Sequence, residues 1–422
     1  MNNRVQSTRE NCALNLPNVL YLTHRVPFPP DKGDKIRAYH VLKHLAKRTG
    51  VWLACLADEP SSEETIATLR GLTKRLAIIP VPPSRRWPRA ALSFLSGRTI
   101  SEGVFASPRL SKILARWAKE AAFHASLASS SSLARYLRQP ALRQVPAVVD
   151  LVDVDSQKWL DYAASTKGPR SRLFRVEARR LRQLEHALSS WAVAGTVVSQ
   201  AEADVFHSFC PWDGLQVLPN GVDFNYFKPP PRSSTEEGCI FVGALDYYPN
   251  VDAVRWFTRE VWPEIYRLFP GGRLQLVGRR PVAAVRKLAE VEGVEVVGQL
   301  ADVRPYLAKA AVVIAPLRIA RGVQNKVLEA LAMAKATVAS PQALAGFPKQ
   351  LVLPALCASS PAEWIDVVVR LLRDVALRRD LGECGRHYVE SQHDWDRCLA
   401  PLDELLDLPR KHGQLVASPT SS

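Results

Sequence analysis

The sequence predicts an α/β protein made of two doubly wound domains, and three observations predict it. Short apolar runs alternate with stretches of helical periodicity in both halves of the chain. At 422 residues, 47% hydrophobic and 23% charged, the composition is ordinary for a folded protein, and the length exceeds that of a usual single domain. The alternation is interrupted at Pro211-Trp212-Asp213-Gly214, which sets a boundary near Cys210 to Leu218.

The first half opens on an apolar strand, Val19 to Leu22, followed by a turn-rich loop from Pro27 to Asp34. Ala38, Val41, Leu42, Leu45 and Ala46 then recur at helical spacing, and Val51 to Leu56 reads as the next strand. Leu76 to Val81 and Pro146 to Val152 are further strands, with a proline-rich loop at Pro82 to Pro88. Arg170 to Leu188 reads as a basic helix with Leu173, Val176, Leu181, Leu184 and Leu188 on its apolar side. In the second half a strand at Ile240 to Gly243 leads to a helix marked by Val254, Phe257, Val261, Ile265 and Leu268, with Asn250 as its expected cap. Strand 274–277, helix 281–291, strand 294–297 and a short helix near Asp302 follow. Strand 312–315 then gives way to a loop through Val323, a helix to Met333 and strand 337–340. Ser360, Pro361 and Glu363 form the capping box of another helix. Ligands of such sheets sit beyond the carboxyl ends of the strands.

Charge is unevenly placed. Residues 1–210 hold 31 Lys and Arg against 17 Asp and Glu, and the rest hold 25 against 24. A cationic first half implies an anionic partner, and Arg85-Arg86-Trp87-Pro88-Arg89 with the arginines of 170–182 favours a membrane surface. No recognisable nucleic-acid-binding motif accompanies the charge, so a basic nucleic-acid-binding protein is the rival reading and no specific nucleic acid is expected. The seven cysteines are scattered without a C-x-x-C pair and read as small buried hydrophobes. Residues 1–16 lack an apolar export core, and no run is long and apolar enough to span a bilayer, so a cytoplasmic location is expected.

Four segments carry chemistry. In Ala315 to Ala332 a loop with Arg318, Arg321, Gly322 and Val323 precedes a helix bearing Lys326 and Glu329. The N–H groups at that helix start, reinforced by cations, suit a diphosphate, and Glu329 suits two ribose hydroxyls. Phe241-Val242-Gly243 and Leu276-Val277-Gly278 end strands in glycines that let a nucleotide approach backbone, with Arg279 a further phosphate candidate. Thr23 to Arg37 is a glycine loop between strand and helix, in which Gly33 permits close approach and Lys32, Lys35 and Arg37 can neutralise anions. Asp150 to Ser156 ends a strand in acids, and Asp153 can accept a proton or stabilise positive charge, while Asp155 or Ser156 can cap a helix.

Together with the Pro-Asn-Gly-Val-Asp turn at Pro219 to Asp223, these segments resemble family 4 glycosyltransferases, over about residues 17–407. Glu329 matches the second glutamate of that family's donor signature, and Arg321 stands where the first would be. The arrangement looks closest to a bacterial subgroup associated with exopolysaccharide and exosortase systems. The resemblance implies a GT-B architecture: a flexible tail at 1–16, an acceptor domain at 17–210, a nucleotide-sugar domain at 211–385, a crossover helix at 386–407 and a second tail at 408–422. It implies retaining transfer from a nucleotide sugar to a glycan or lipid-linked acceptor, with no cofactor and no metal. On that reading Asp153, Arg321 and Lys326 are catalytic. Gly33, Gly243, Gly278, Arg279, Arg321, Gly322, Val323, Lys326 and Glu329 bind donor, and Lys32, Asp34, Lys35 and Arg37 bind acceptor. Trp395 in the closing segment is expected to pack. A sugar-nucleotide epimerase of the same architecture is the enzymatic rival. A nicotinamide enzyme is disfavoured because Val277 to Pro281 does not form G-x-G-x-x-G.

Overall fold

The computed structural model describes residues 16–229, 236–347 and 355–409. The expected tails at 1–16 and 408–422 therefore fall outside the described residues, apart from Leu16, Leu408 and Pro409, as does Cys12. Two sheets organise the chain. The first has seven strands, β1 (Asn18–Thr23), β2 (Gly50–Ala57), β3 (Arg75–Pro80), β4 (Ala125–Ser129), β5 (Ala147–Val152), β6 (Ala194–Val197) and β7 (Leu215–Val217), in the order β3-β2-β1-β4-β5-β6-β7. The second has six, β8 (Glu237–Val242), β9 (Leu274–Val277), β10 (Val294–Gly298), β11 (Ala310–Ala315), β12 (Ala336–Ala339) and β13 (Leu356–Cys357), in the order β10-β9-β8-β11-β12-β13. β1 pairs parallel with β2 and β4, and β8 with β9 and β11. Parallel pairing needs crossover helices, which is why these strands are nearly continuous apolar runs rather than alternating ones.

The chain separates into two compact units. Of the described residues, one comprises 16–151, 155–195 and 399–409, and the other 152–154, 196–229, 236–347 and 355–398. In the first, Leu20, Trp52, Leu114 and Trp117 form an apolar layer, with Trp52 and Trp117 edge to face at 5.3 Å. Helix Trp395–Leu405 contributes Asp403 to this unit, where it accepts from His44 Nε2 at 3.0 Å and pairs with Arg48. In the second unit Phe257 and Trp364 meet edge to face at 5.4 Å around Trp262 and Ile265. Trp395 is buried, and a Cβ on Gly221 would lie 2.7 Å from its ring, so the glycine of the Pro-Asn-Gly turn makes room for the indole.

Several local expectations are corrected. Helix Tyr248–Glu260 starts before Asn250, so Asn250 is no cap and its side chain serves elsewhere. The expected helix 281–291 is a short turn, Ala283–Arg286, followed by a 3-10 segment. The expected cap is present: Ser360 caps helix Pro361–Arg373, and Glu363 reaches back to the N–H of Ser359 at 2.7 Å. Leu173 is exposed on helix Pro169–Leu188, and Cys357 and Cys384 are exposed rather than buried, because periodicity marks a face without saying what covers it.

Candidate functional site

In the second unit the strand order reverses between β8 and β11, and such a reversal opens a crevice at the strands' carboxyl ends. Gly243 follows β8 there, and helix Asn325–Ala332 starts after β11 and its loop. The two glycines abut: a Cβ on Gly278 would come within 1.7 Å of the Gly243 carbonyl oxygen, so no side chain fits at Gly278. A Cβ on Gly243 would lie 2.9 Å from Asn250 Nδ2 and 3.1 Å from Lys326 Nζ. Lys326 Nζ donates to Asn250 Oδ1 at 2.6 Å and sits 4.4 Å from the centre of the Phe241 ring. Asn250 is held in turn by donating to the carbonyl of Ala244 at 2.9 Å.

Glu329 lies one turn beyond Lys326 on the same helix. Burial pushes its carboxyl up to about 7, against the pull of the Lys326 charge. Burial likewise pushes the Lys326 ammonium down to about 7, opposed by Glu329. The Glu329 carboxylate has no hydrogen-bond donor among the described residues, and helix Asn325–Ala332 carries no side-chain cap at Gln324. Arg279, just past β9, has a buried Nε with no hydrogen-bond partner among the described residues. Lys326 Nζ thus lies beside Gly243, one turn before the Glu329 carboxylate on a helix with no side-chain cap, and Arg279 directly follows Gly278 in the chain. That donor and acceptor set fits a nucleoside diphosphate, with anionic groups at the helix start and hydroxyls at Glu329.

The loop before this helix is fixed from three sides. Asn220 Nδ2 of the Pro-Asn-Gly turn donates to Asn325 Oδ1 at 3.0 Å, and the Asn220 carbonyl accepts from His393 Nδ1 at 2.8 Å. A Cβ on Gly346 would lie 2.1 Å from the Gly322 carbonyl oxygen and 2.6 Å from the Val323 nitrogen. Gly322 itself has φ 60, and a Cβ there would stand 2.5 Å from Asp153 Oδ1. Glycine is required on both counts, the left-handed backbone and the carboxylate against it.

Arg321 donates through Nε to Glu202 Oε1 at 3.1 Å, and its Nη2 is 3.0 Å from the same oxygen. The other Glu202 oxygen accepts the Val154 N–H at 2.7 Å. One carboxylate, 2% exposed, therefore holds both the Arg321 loop and the segment carrying Asp153. Arg321 is thus ion-paired to Glu202, and Lys326 is the cation placed beside Gly243. Arg318 turns away to Asp252, donating at 2.9 and 2.5 Å. Val152, β-branched, has φ 68, an uncommon conformation that directs the chain out of β5 at Asp153 and is held by the Val198 N–H at 2.9 Å.

Residues 236–374 match the family model described as Glycosyl transferases group 1. Solved structures similar in fold include sucrose-phosphate synthase from Thermosynechococcus elongatus, at 15% identity and TM-score 0.66, covering 92% of this chain and 98% of that one. Anabaena HepE in complex with UDP-glucose aligns at 13% identity and TM-score 0.66, covering 93% and 99%. WaaG, a glycosyltransferase involved in lipopolysaccharide biosynthesis, aligns at 16% identity and TM-score 0.63, covering 92% and 99%. The two sheets thus have the GT-B architecture. No curated protein sequence matches the chain.

The first unit's loop is built differently from the sequence expectation. Arg37 is 1% exposed and donates through Nε and Nη2 to both oxygens of Asp150, at 2.8 and 2.9 Å. It joins helix Gly33–Ala46 to β5 and does not face an acceptor, a correction that burial dictates. Lys35 pairs with Asp31 at 3.0 Å, Gly33 opens the helix and Lys32 precedes it. Asp34 accepts from His24 Nε2 at 3.2 Å and from the Lys35 N–H at 3.0 Å, and forms an ion pair with Arg25, whose Nε lies 3.2 Å away. Burial works to raise the Asp34 carboxyl, but His24, Arg25 and that N–H outweigh it and hold it well below the usual range. His24, at the carboxyl end of β1 and edge to face with Phe105 at 5.4 Å, is a candidate the sequence reading passed over. Its signal was present, a histidine directly after the first strand. Glu202 and Asn250 gave no comparable signal, since each acts through a partner distant in sequence.

Proposed function

We propose that the protein is a retaining glycosyltransferase that takes a nucleotide sugar at the crevice between β8 and β11 and passes its sugar to a glycan or lipid-linked acceptor. What supports this most is the unsatisfied set at that crevice, in which Glu329 is positioned to accept from ribose hydroxyls while Lys326, Arg279 and the helix start receive the diphosphate. As the bond from anomeric carbon to phosphate breaks, negative charge grows on the departing diphosphate, and the Lys326 ammonium stabilises it. Asp153, set against Gly322, stabilises positive charge at the anomeric carbon. Arg321, through Glu202, keeps Gly322 and Asp153 in register. These cations do the work that a divalent metal does in other transferases, so no metal is invoked.

The acceptor is placed in exopolysaccharide synthesis by the sequence resemblance alone. The cationic first half supports work on the inner face of the cytoplasmic membrane, against anionic lipid. The donor assignment is tested by thermal shift with a panel of nucleotide sugars and free nucleoside diphosphates, since a ligand of the native state raises the midpoint by mass action. Stabilisation by one nucleotide series, lost in Lys326→Met, is expected. No shift with any of them would refute it. Release of free nucleotide only in the presence of an acceptor separates transfer from epimerisation.

A further inference from the structure

Among the described residues the three most exposed large apolar side chains are Leu95 at 82%, Trp87 at 71% and Leu92 at 70%, and all three belong to helix Arg86–Leu95. At 100° per residue Trp87, Ala91 and Leu95 line up, with Pro88 and Leu92 beside them, and all five are exposed. Ala90 and Ser93, on the opposite side, are the buried positions of the helix. The apolar face therefore points outward, the reverse of an ordinary surface helix.

That orientation is built in. Helix Ile100–Val104 packs so closely behind it that a Cβ on Gly103 would lie 2.7 Å from Ala90 Cα. Arg180 donates to the carbonyls of Phe94 at 2.6 Å and Arg98 at 2.8 Å, and stacks 4.2 Å from the Phe94 ring. Glu177, fully buried, accepts the N–H groups of Ile100 at 2.7 Å and Ser101 at 3.0 Å. Arg89 donates to the carbonyl of Ala106 at 2.6 Å. A helix pair anchored this firmly does not rotate to hide its leucines.

We propose that helix Arg86–Leu95 is a preformed membrane-insertion element, lying in the plane of an anionic bilayer with Trp87, Leu92 and Leu95 in the boundary between headgroups and acyl chains. The charge around the face selects the occupant. From Val81 to Ser101 the chain carries four arginines, Arg85, Arg86, Arg89 and Arg98, and no acidic residue. Arg85 and Arg98 are exposed at the two ends of the helix, and Arg86 approaches Asp58 at 3.8 Å. A second copy docked through the same face would set arginine against arginine, whereas anionic headgroups complement them. An amphipathic helix with an apolar face bearing Trp and Leu and flanked by arginine has the make-up of an interfacial element. This deepens the membrane reading above, on which it rests, and adds the element and the mode of attachment: apolar insertion as well as charge attraction.

The test is sedimentation of the full chain with vesicles of phosphatidylcholine alone or with phosphatidylglycerol, at low and high salt, alongside the double variant Leu92→Gln and Leu95→Gln. Both positions are largely exposed, so the variant's melting midpoint is expected to match that of the parent. The parent is expected to bind the acidic vesicles and to retain part of that binding at high salt, and the variant to lose about tenfold or more in partitioning. Trp87 should shift to shorter emission wavelength on binding, read as the difference between the parent and Trp87→Phe. Binding that the double variant shares in full overturns insertion and leaves charge attraction standing. Absence of binding to either vesicle overturns both readings, as does a dimer that the double variant dissolves in the absence of lipid binding.

Discussion

Replacing Glu329 by Gln should move stability and donor affinity in opposite directions. The folded carboxyl sits at about 7 against an ordinary value of 4.5 because burial disfavours its charge. For an acid whose constant is raised by folding, the folded state is penalised wherever the unfolded chain would be ionised. The penalty is absent below pH 4.5, grows between pH 4.5 and about 7, and is constant above. At about 1.4 kcal/mol per unit it amounts to about 3 kcal/mol above neutrality. Lys326 loses a favourable neighbour in the variant, which offsets part of this, so a net gain of about 1 to 3 kcal/mol is expected at pH 8. For a unit of this size each kcal/mol raises the melting midpoint by about 2 to 4 °C. Affinity moves the other way. Charge-assisted hydrogen bonds from two ribose hydroxyls are weakened when the carboxylate becomes an amide, and a loss of about 2 kcal/mol, roughly thirtyfold in Kd, is expected. Melting at pH 4.5 and pH 8 with and without the nucleoside diphosphate found by screening, together with calorimetric titration at pH 8, reads both effects. Equal affinity in parent and variant would remove Glu329 from the ribose. A variant no more stable than the parent at pH 8 would refute the desolvated carboxylate.

Three further outcomes are expected. Nucleoside diphosphate affinity should peak near pH 7: a diphosphate favours the protonated Lys326, so affinity falls as pH rises past about 7, and hydroxyl donors favour the ionised Glu329, so affinity falls as pH drops below about 7. Each limb is at most about tenfold per pH unit, and a flat calorimetric profile from pH 5.5 to 9 would contradict it. Arg37→Ala removes the guanidinium bonded to both oxygens of the buried Asp150 carboxylate, so chemical denaturation should show a loss of about 3 to 5 kcal/mol in the first unit, and a loss under 1 kcal/mol would refute the buried pair as an anchor. Transfer activity should survive EDTA if, as proposed, phosphate charge is carried by Lys326, Arg279 and a helix start; full loss restored by magnesium or manganese would refute that and make Asp153 and Asp155 candidate metal ligands.

The sequence by itself determined the parallel α/β class, the two sheets and most strands, because buried parallel strands are written as short apolar runs between helical periods. It also singled out the glycines at 243, 278 and 322 and put Lys326 and Glu329 on one helix, while the contacts that crowd those glycines came from the tertiary structure. What only the tertiary structure decided is where charges find partners and which faces are covered. Arg37 looked like a loop cation until Asp150, 113 residues away, took it into the core. Arg321 reads from the sequence as a loop cation, and nothing local announces its partner Glu202, 119 residues away. Asn250 passed for a helix cap and instead holds Lys326, 76 residues on. The helix Arg86–Leu95 shows the same limit from the other side. Periodicity places Trp87, Ala91 and Leu95 on one face, but whether that face meets a core or faces outward depends on what Arg180 and Gly103 hold behind it, and such contacts between residues far apart in sequence leave no local pattern to read.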